Sequence, residues 1–360
     1  MCEKCNITFI GPTAEMMDKM GNKSQARLTM IEAGVPVVPG TKEPVYDAKR
    51  GAAMAEDIGY PVMIKASSGG GGKGMRIAFG PDDFEENFQV AQLESVRGFG
   101  DNTMYIEKYV QEPRHIEFQI MADKFGNVVQ FGERDCSIQR NHQKMIEESP
   151  SVALTPELRR RMGDAAVRAA KAVHYESAGT IEFLLDKDKN FYFMEMNTRI
   201  QVEHPITEMR TGIDLVKEQI RIAAGEKLKY KQKEIEFRGH SIECRINAEN
   251  PNKNFMPSPG KINEINLPGG NGIRIDTAIY NGYVIPPNYD SMIAKIITFG
   301  INRNEAISKM KRALEELVID GIETNRDFLF DIIKNPNFIR GKFDTSFIEK
   351  EMLKGETKNR

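Results

Sequence analysis

The 360-residue chain contains no tryptophan, only four cysteines and only five histidines. Four scattered cysteines are too few to form a disulfide framework in a chain this long, so we expect reduced thiols. Cys2 and Cys5 form a CxxC pair, but no second Cys or His pair follows at the spacing that a zinc site requires. The composition therefore predicts neither a disulfide-stapled protein nor a zinc protein.

Long apolar runs and a strong net charge are also missing. No stretch of about 18 apolar residues occurs, and the first residues lack the charged start and apolar run of a signal peptide. The formal net charge is -2, which creates no global field to attract nucleic acid or an anionic membrane. We therefore expect a cytoplasmic protein with no nucleic-acid or membrane partner, in which any phosphate binding is local.

Hydrophobic residues make up 40% of the chain and charged residues 28%, as in ordinary globular proteins. The length favours two or three domains. Apolar periodicity predicts an α+β protein with no internal repeat. Its main predicted elements are a lone strand at 7–10, a helical stretch at 13–33, hairpins at 60–78, 115–133 and 179–197, and helices at 82–96, 213–224 and 304–317, together with one beginning at Pro156 after an N-cap at Thr155.

The hairpin at 60–78 carries a glycine-dense loop, KASSGGGGKGMR, at residues 65–76. Consecutive glycines expose backbone N–H groups that can cradle phosphate oxygens. The run satisfies GxGxxG trivially and enters a strand rather than a helix, while Lys73 is followed by Gly74 instead of the Ser or Thr of a Walker A loop. A mobile nucleotide lid is the favoured interpretation, and a loose surface turn is the alternative.

Two glutamates face each other across the hairpin at 179–197. A turn near Asp188 places Glu182 opposite Glu195, at about 5 Å between Cβ atoms. Like charges so close are tolerated when one takes a proton or a divalent cation lies between them, and oxygen ligands suit Mg²⁺. Asn197 faces the same way. The alternative is a solvated outer face, which the strongly apolar neighbours make less credible.

The second strand of this hairpin continues into an unusual polar segment. If the chain stays extended, Glu195, Asn197, Arg199, Gln201 and Glu203 project from one side. An arginine can bind a planar oxyanion such as bicarbonate in bidentate fashion, and a nearby glutamate can serve as a base. The segment therefore predicts an active-site edge, with a structural ion-pair ladder as the alternative.

These segments resemble the biotin carboxylases of the ATP-grasp superfamily. The resemblance covers essentially the whole chain. It rests on EMNTRIQVEHP at 195–205, KASSGGGGKGMR at 65–76, ERDCSIQRNHQK at 133–144, RINAE at 245–249, PSPG at 257–260 and YDSM at 289–292.

The resemblance implies an ATP-grasp fold with a mobile glycine-loop lid and a C-terminal antiparallel sheet or barrel-like domain. It also implies that the family's N-terminal Rossmann-like subdomain is largely absent. The expected divisions are a remnant of that subdomain at 1–12, a helical linker at 13–36, the lid at 37–110, the core with the metal and bicarbonate site at 111–236, the C-terminal domain at 237–350 and a tail at 351–360.

The family pattern also implies roles for individual residues. The implied ATP contacts are Lys23, Lys65, Gly70, Gly71, Gly72, Glu107, Lys108, Val110, His115, Gln139 and His142. The implied ligands of Mg²⁺ or Mn²⁺ are Glu182, Glu195 and Asn197. The implied bicarbonate contacts are Lys144, Arg199, Gln201, Val202 and Glu203. Glu203 would be the base, Arg199 would stabilise the enolate-like biotin, and Arg274 would be a second basic residue near biotin and phosphate.

The implied reaction is ATP-dependent carboxylation of biotin on a biotin carboxyl carrier protein, through carboxyphosphate, as the first half-reaction of acetyl-CoA carboxylase in fatty acid synthesis. A homodimer working with carboxyltransferase subunits is expected, since the chain lacks an Ala-Met-Lys-Met biotin attachment motif. The alternatives are a module of pyruvate or propionyl-CoA carboxylase, another ATP-grasp ligase such as a carbamoyl-phosphate synthetase, and a catalytically impaired ATP-binding or assembly fragment.

Overall fold

The structure, a computed structural model, describes residues 1–67 and 74–353. The helices are α1 (Ala14–Gly21), α2 (Lys23–Glu32), α3 (Ala48–Ile58), α4 (Pro81–Phe99), α5 (Pro156–Ala172), α6 (His204–Thr211), α7 (Leu215–Ala223), α8 (Arg303–Glu316), α9 (Arg326–Lys334) and α10 (Pro336–Ile339). The strands are β1 (Val62–Ala66), β2 (Met75–Ala78), β3 (Met104–Lys108), β4 (Arg114–Ala122), β5 (Val128–Arg140), β6 (Gln143–Ser149), β7 (Ser177–Leu185), β8 (Phe191–Asn197), β9 (His240–Asn247), β10 (Glu249–Asn250), β11 (Met256–Pro257), β12 (Gly260–Lys261), β13 (Glu264–Asn266), β14 (Ile273–Thr277), β15 (Val284–Ile285), β16 (Met292–Gly300) and β17 (Val318–Asp320).

The first predicted strand does not form. Residues 7–10 are not a strand, and Ile7 and Phe9 are exposed. An isolated apolar run of this length gains strand structure only by pairing, and no described strand pairs with it. The helical stretch after it is two helices, because Asn22 takes an extended conformation and its side chain caps α2 by accepting a hydrogen bond from the Gln25 N–H.

Strands β1 to β3 form a small antiparallel sheet in the order β2-β1-β3. Helices α3 and α4 pack on it, and its core includes Val62, Ile64, Phe84 and Phe88. The predicted hairpin is therefore confirmed, with Lys65 opposite Met75. Residues 68–73 lie outside the described part of the chain, and the predicted phosphate contacts Gly70, Gly71 and Gly72 lie there.

The largest sheet has eight strands, all antiparallel, in the order β14-β16-β9-β6-β5-β4-β7-β8. The predicted hairpins β4-β5 and β7-β8 are both present. Strand β6 pairs with β9, where Ile146 lies opposite Cys244, so strands of the expected core and C-terminal domain share one sheet. The antiparallel C-terminal strands are confirmed, but the sheet is open and ends at β8 and β14 within the described residues.

The two faces of this sheet differ in chemistry. Apolar side chains such as Phe118, Phe183, Ile242 and Ile296 lie in the two main cores, which are formed with α5, α8 and α9. Helix α5 begins as predicted, since the Thr155 hydroxyl accepts a hydrogen bond from a backbone N–H in its first turn. Helix α6 packs against β5, β6, β9 and β16. Polar and charged side chains of the central strands are gathered near α6.

No helix of the described ranges is long and apolar enough to cross a membrane.

Candidate active site

The polar side chains of β4 begin the site. Residues alternate along this strand, so Ile116, Phe118 and Ile120 enter the apolar core, whereas His115 and Glu117 point away from it. Both of these polar residues are buried. A buried charge is costly unless it is paired, so the neighbouring strands must supply counter-charges.

Lys144 on β6 is the centre of the cluster. Its Nζ lies 2.5 Å from Glu117 Oε2, 2.6 Å from Glu203 Oε1 and 3.0 Å from Glu182 Oε1. Burial alone would lower the pKa of Lys144, but the facing carboxylates raise it well above its ordinary value. The ammonium therefore stays charged and holds three carboxylates together.

Glu182 on β7 is engaged through both of its oxygens. Its Oε1 accepts from Lys144 and from the side-chain amides of Asn197 and Gln201, each amide at 2.8 Å, and its Oε2 lies 2.9 Å from His115 Nε2. Burial opposes ionisation of Glu182, yet His115 and Lys144 bring its pKa below the ordinary value. Burial likewise opposes the charge on His115, but Glu182 raises the pKa of the imidazole. The two form an ion pair.

The expected carboxylate pair across the β7-β8 hairpin is present in register, with Glu182 opposite Glu195. Glu182 is buried and Glu195 is exposed, because β8 is an edge strand of the sheet. Asn197 adds an amide oxygen to the two carboxylates, and oxygen atoms are the ligands that Mg²⁺ prefers. Ligand atoms of His115, Glu117 and Glu182 also lie within 4.8 Å of one another. The residues present therefore fit a hard divalent cation.

The segment after β8 does not stay extended, so the predicted single edge is wrong. Strand β8 ends at Asn197, the chain turns, and Glu203 becomes the N-cap residue of α6, with Pro205 in the first helical turn where proline is favoured. Gln201 and Glu203 are nevertheless buried in the cluster. Arg199 is exposed, and its guanidinium donates to Asn197 Oδ1 at 3.3 Å.

Arg245 on β9 is a site residue that the sequence indicated only as part of a motif. Its Nη2 donates to Glu203 Oε2 at 2.8 Å, and its Nε donates to Glu147 Oε1 at 2.6 Å. Burial works against this cation, but the two glutamates raise its pKa well above the ordinary value. Lys295 on β16 donates to the backbone carbonyl of Val202 at 2.7 Å. These contacts hold Val202 and Glu203, the last two residues of the turn that leads into α6.

Arg134 on β5 is a second site residue to which the sequence assigned no role. It is fully buried, and its Nε donates to Glu117 Oε1 at 2.5 Å. Its Nη2 donates to Gln201 Oε1 at 3.0 Å, so that Gln201 can turn its amide N–H₂ toward Glu182. The signal in the sequence was the polar alternation of β4 and β5, which places Arg134 opposite Glu117.

Arg274 lies apart from the Lys144 cluster. It is on β14, where it donates to Glu208 Oε2 at 2.6 Å and to both oxygens of Asp276 at 2.8 and 2.9 Å. It borders an open cavity of about 520 Å³ between α6 and α7, next to His204 and Glu208. Within the described residues it makes no hydrogen bond to Glu203 or Lys144.

The expected nucleotide contacts divide into two groups. On the small sheet, Lys65 Nζ lies 2.5 Å from Glu107 Oε2, and Glu107 Oε1 lies 3.5 Å from Arg27. Lys108 is held by the backbone carbonyls of Gly59 and Tyr60. Val110 follows β3 and is half-buried.

On the large sheet, Gln139 is buried opposite Lys144, while His142 occupies the exposed β5-β6 turn with φ 64°. The backbone of Lys23 begins α2, but its side chain lies outside the described part of the structure. Of the described nucleotide contacts, Lys65, Glu107 and Lys108 therefore lie on the small sheet, whereas His115, Gln139 and His142 lie on the large sheet or its β5-β6 turn, with the carboxylate cluster.

Comparison with known proteins decides the family. The chain is 55% identical over 350 residues to biotin carboxylase 1 of Bacillus subtilis, an alignment that covers 97% of this chain and 78% of the relative. The chain belongs to the biotin carboxylase family. Members of this family are ATP-dependent ligases. Residues 22–231 match the family model described as the carbamoyl-phosphate synthase L chain ATP-binding domain, and residues 243–350 match the biotin carboxylase C-terminal domain.

Other relatives in the biotin carboxylase family differ in what they are named for. A pyruvate carboxylase subunit of Methanothermobacter thermautotrophicus is 55% identical over 97% of this chain and 71% of its own length. A crystal structure of the Hydrogenobacter thermophilus 2-oxoglutarate carboxylase biotin carboxylase domain dimer, in complex with MgADP, ADP and bicarbonate, superposes with a TM-score of 0.89. It is 50% identical and covers 97% of this chain and 77% of that one. The ATP-grasp fold expected from the sequence is confirmed.

Proposed function

We propose that this chain carboxylates biotin with bicarbonate at the expense of ATP. The observation that carries the proposal is the position of Lys144, whose Nζ contacts both Glu182 and Glu203. Glu182 belongs to the set of oxygen ligands that suits a divalent cation, and the carboxylate of Glu203 accepts hydrogen bonds from Lys144 and Arg245. The ammonium group of Lys144 therefore contacts both Glu182, a proposed ligand of the divalent cation, and Glu203, the proposed base.

Mg²⁺, which Mn²⁺ could replace, would be held by Glu182, Glu195 and Asn197. When bound, it neutralises charge on the polyphosphate and so favours phosphoryl transfer. The chain's own contribution is positioning. The proposed ATP contacts are Lys23, Lys65, Gly70, Gly71, Gly72, Glu107, Lys108, Val110, His115, Gln139 and His142. The MgADP-bound state of the Hydrogenobacter thermophilus structure supports this proposal.

Bicarbonate would lie among Lys144, Arg199, Gln201, Val202 and Glu203. Glu203 takes the proton of bicarbonate as a bicarbonate oxygen attacks the γ-phosphorus, and ADP leaves. The carboxyphosphate so formed breaks its C–O bond to give CO₂ and phosphate. Phosphate then removes the N1′ proton of biotin, and this nitrogen attacks CO₂. Preorganised cations stabilise the charge that develops in such steps.

Two arginines would serve the biotin step. Arg199 lies at the exposed rim of the cluster, where an incoming biotin could reach it and where it would stabilise the enolate-like ureido group. Arg274 lies across α6 beside the open cavity, where it would be a second basic residue near biotin and phosphate. We also propose the six segments of the chain that the sequence predicts, which run from residues 1–12 to residues 351–360.

The carboxyl acceptor is proposed from the same resemblance. We infer a component of acetyl-CoA carboxylase in fatty acid synthesis, which works in the cytoplasm as a homodimer with a biotin carboxyl carrier protein and carboxyltransferase subunits. The alternative is a module of another biotin-dependent carboxylase, supported by the relatives named for pyruvate and 2-oxoglutarate. Transfer assays with carrier protein and carboxyltransferase from the same source, given acetyl-CoA or pyruvate, separate the two.

The activity itself is tested with free biotin as acceptor. We expect ATP hydrolysis that requires Mg²⁺ and bicarbonate and rises with biotin concentration. The matched variant is Glu203→Gln, which keeps the shape of the side chain and removes the base. ATP binding by the wild-type chain without any biotin-dependent turnover would instead support an ATP-binding or assembly role.

A further inference from the structure

Two buried glutamates that the proposed reaction does not use lie behind Arg245. Glu147 on β6 and Glu243 on β9 are directly opposite each other in neighbouring strands. Both are fully buried. Cβ atoms of directly opposite residues are about 5 Å apart, and two carboxylates so close in a buried setting cannot both ionise without a large penalty.

The hydrogen bonds of this pair are incomplete. Glu147 Oε1 accepts from Arg245 Nε at 2.6 Å. Glu147 Oε2 and both oxygens of Glu243 are buried without a hydrogen-bond partner. An ionised carboxylate can only accept, whereas a protonated one carries an O–H donor. One proton on Glu243 would therefore supply the donor that Glu147 Oε2 lacks.

The surrounding cations make no hydrogen bond to Glu243. Arg245 bridges Glu147 and Glu203, and Lys295 donates to the Val202 carbonyl and lies 3.4 Å from Asp276. Burial raises the pKa of Glu243 well above its ordinary value, and the charge of Glu147 adds to this effect, against the opposing influence of the two cations. Burial also raises the pKa of Glu147, although Arg245 opposes it.

Other charged or titratable groups lie on the elements packed around the pair. They include Lys144 and Glu148 on β6, His240 and Cys244 on β9, Glu133, Arg134, Asp135, Cys136 and Arg140 on β5, Arg274 and Asp276 on β14, Glu203, His204, Glu208 and Arg210 at α6, and Arg303 on α8.

We propose that Glu243 is protonated at neutral pH and donates to Glu147, forming a carboxyl–carboxylate pair that positions Arg245 and, through it, Glu203. The inference rests on the proposed function in one respect, which is the role of Glu203 as the base. The pair carries a single negative charge, which Arg245 balances through Nε while its Nη2 remains on Glu203. A second charge on the pair would repel Glu203 and draw Arg245 away from it. Both glutamates are positioning residues, since neither touches Glu203 itself.

Infrared spectroscopy tests the proton directly and without any assay of turnover. In protein labelled with ¹³C at the glutamate carboxyl groups, we expect the carbonyl stretching band of a protonated carboxyl at pH 7. The isosteric variant Glu243→Gln should lose this band, and the exposed control Glu264→Gln should keep it. A wild-type spectrum with no such band, or a band that Glu243→Gln leaves unchanged, would overturn the proposal. If that variant does not fold, Glu147→Gln replaces it, and this variant should shift the band because the proton on Glu243 loses its carboxylate acceptor.

The pH dependence of unfolding gives a second test. A carboxyl group with a raised pKa in the folded state contributes a stability that is full below its unfolded pKa and is lost as pH rises toward the folded value. Glutamine at 243 cannot ionise, so the melting temperature of Glu243→Gln should rise relative to wild type between pH 5 and pH 8. Glu264→Gln should follow wild type. A constant difference between Glu243→Gln and wild type would contradict the proposal.

Activity then tests the positioning role. Glu243→Gln should keep kcat at pH 7 within about threefold of wild type and keep it at higher pH where wild type declines, whereas Glu243→Ala should lose most of kcat with KM for ATP unchanged. Equal losses in the two variants would overturn the positioning role. A wild-type chain that shows the infrared band but no biotin-dependent turnover would refute the proposed function and leave the proton assignment standing.

Discussion

Lys144 Nζ lies 2.6 Å from Glu203 Oε1, and the same nitrogen contacts Glu117 and Glu182. This geometry means that the proposed base shares its counter-ion with the proposed metal-binding carboxylate. A change at either end of the cluster therefore alters the electrostatic field at the other end.

Removing Lys144 should be costly for both folding and activity. Lys144→Met leaves three buried carboxylates without their common cation, and breaking a buried ion pair by removing one partner costs about 3–5 kcal/mol. We expect biotin-dependent turnover to be lost and denaturant unfolding to show a large drop in stability. Lys124→Met, at an exposed position, is the control and should change neither. Wild-type turnover in Lys144→Met would contradict the role given to this residue.

Arg245→Lys tests whether two simultaneous contacts matter more than charge. An ammonium group is a point charge and does not reproduce the planar arrangement with which Arg245 contacts Glu147 and Glu203. We expect kcat to fall by about 10²-fold while KM for ATP changes little. The exposed Arg238→Lys is the control. A rise in KM for ATP with kcat unchanged would assign Arg245 to nucleotide binding instead.

The two hairpin glutamates should separate metal binding from folding. Glu195 is exposed and Glu182 is buried, so Glu195→Gln should raise the Mg²⁺ concentration needed for half-maximal activity with little effect on stability. Glu182→Gln should lower stability as well, because His115 and Lys144 lose their partner. Mg²⁺ titrations beside thermal melts check both. An unchanged Mg²⁺ requirement in Glu195→Gln would exclude this carboxylate as a ligand.

The ion pair between His115 and Glu182 should make stability depend on pH. Although burial opposes the charge on His115, Glu182 raises its pKa above the ordinary 6.5. A raised histidine pKa contributes stability that is full below the unfolded pKa and is lost as pH rises through the folded one. The melting-temperature advantage of wild type over His115→Asn should therefore be larger at pH 6 than at pH 9. His174→Asn, at an exposed position, should show no such trend, and an advantage independent of pH in His115→Asn would contradict the ion pair.

The hairpin that pairs Glu182 with Glu195 could be predicted from the sequence because strand alternation and the turn are local signals. The burial of Glu117, Arg134 and Arg245 could not be predicted from the sequence. Alternating polar residues on a strand are equally typical of a solvent-facing sheet, and only the packing of α6 over this face turns it into an interior site. The turn at 198–203 was not predicted because the start of α6 at His204, which ends the extended chain, was not predicted from the sequence either.

In the proposed reaction, ATP phosphorylates bicarbonate at the Lys144 cluster. Bicarbonate labelled with ¹⁸O tests it most directly, because the attacking oxygen becomes part of carboxyphosphate and remains in phosphate after CO₂ leaves. We expect one ¹⁸O atom in each inorganic phosphate formed during biotin-dependent turnover by wild type, and no such labelled phosphate from Lys144→Met. Product phosphate that takes its new oxygen from water would contradict the account.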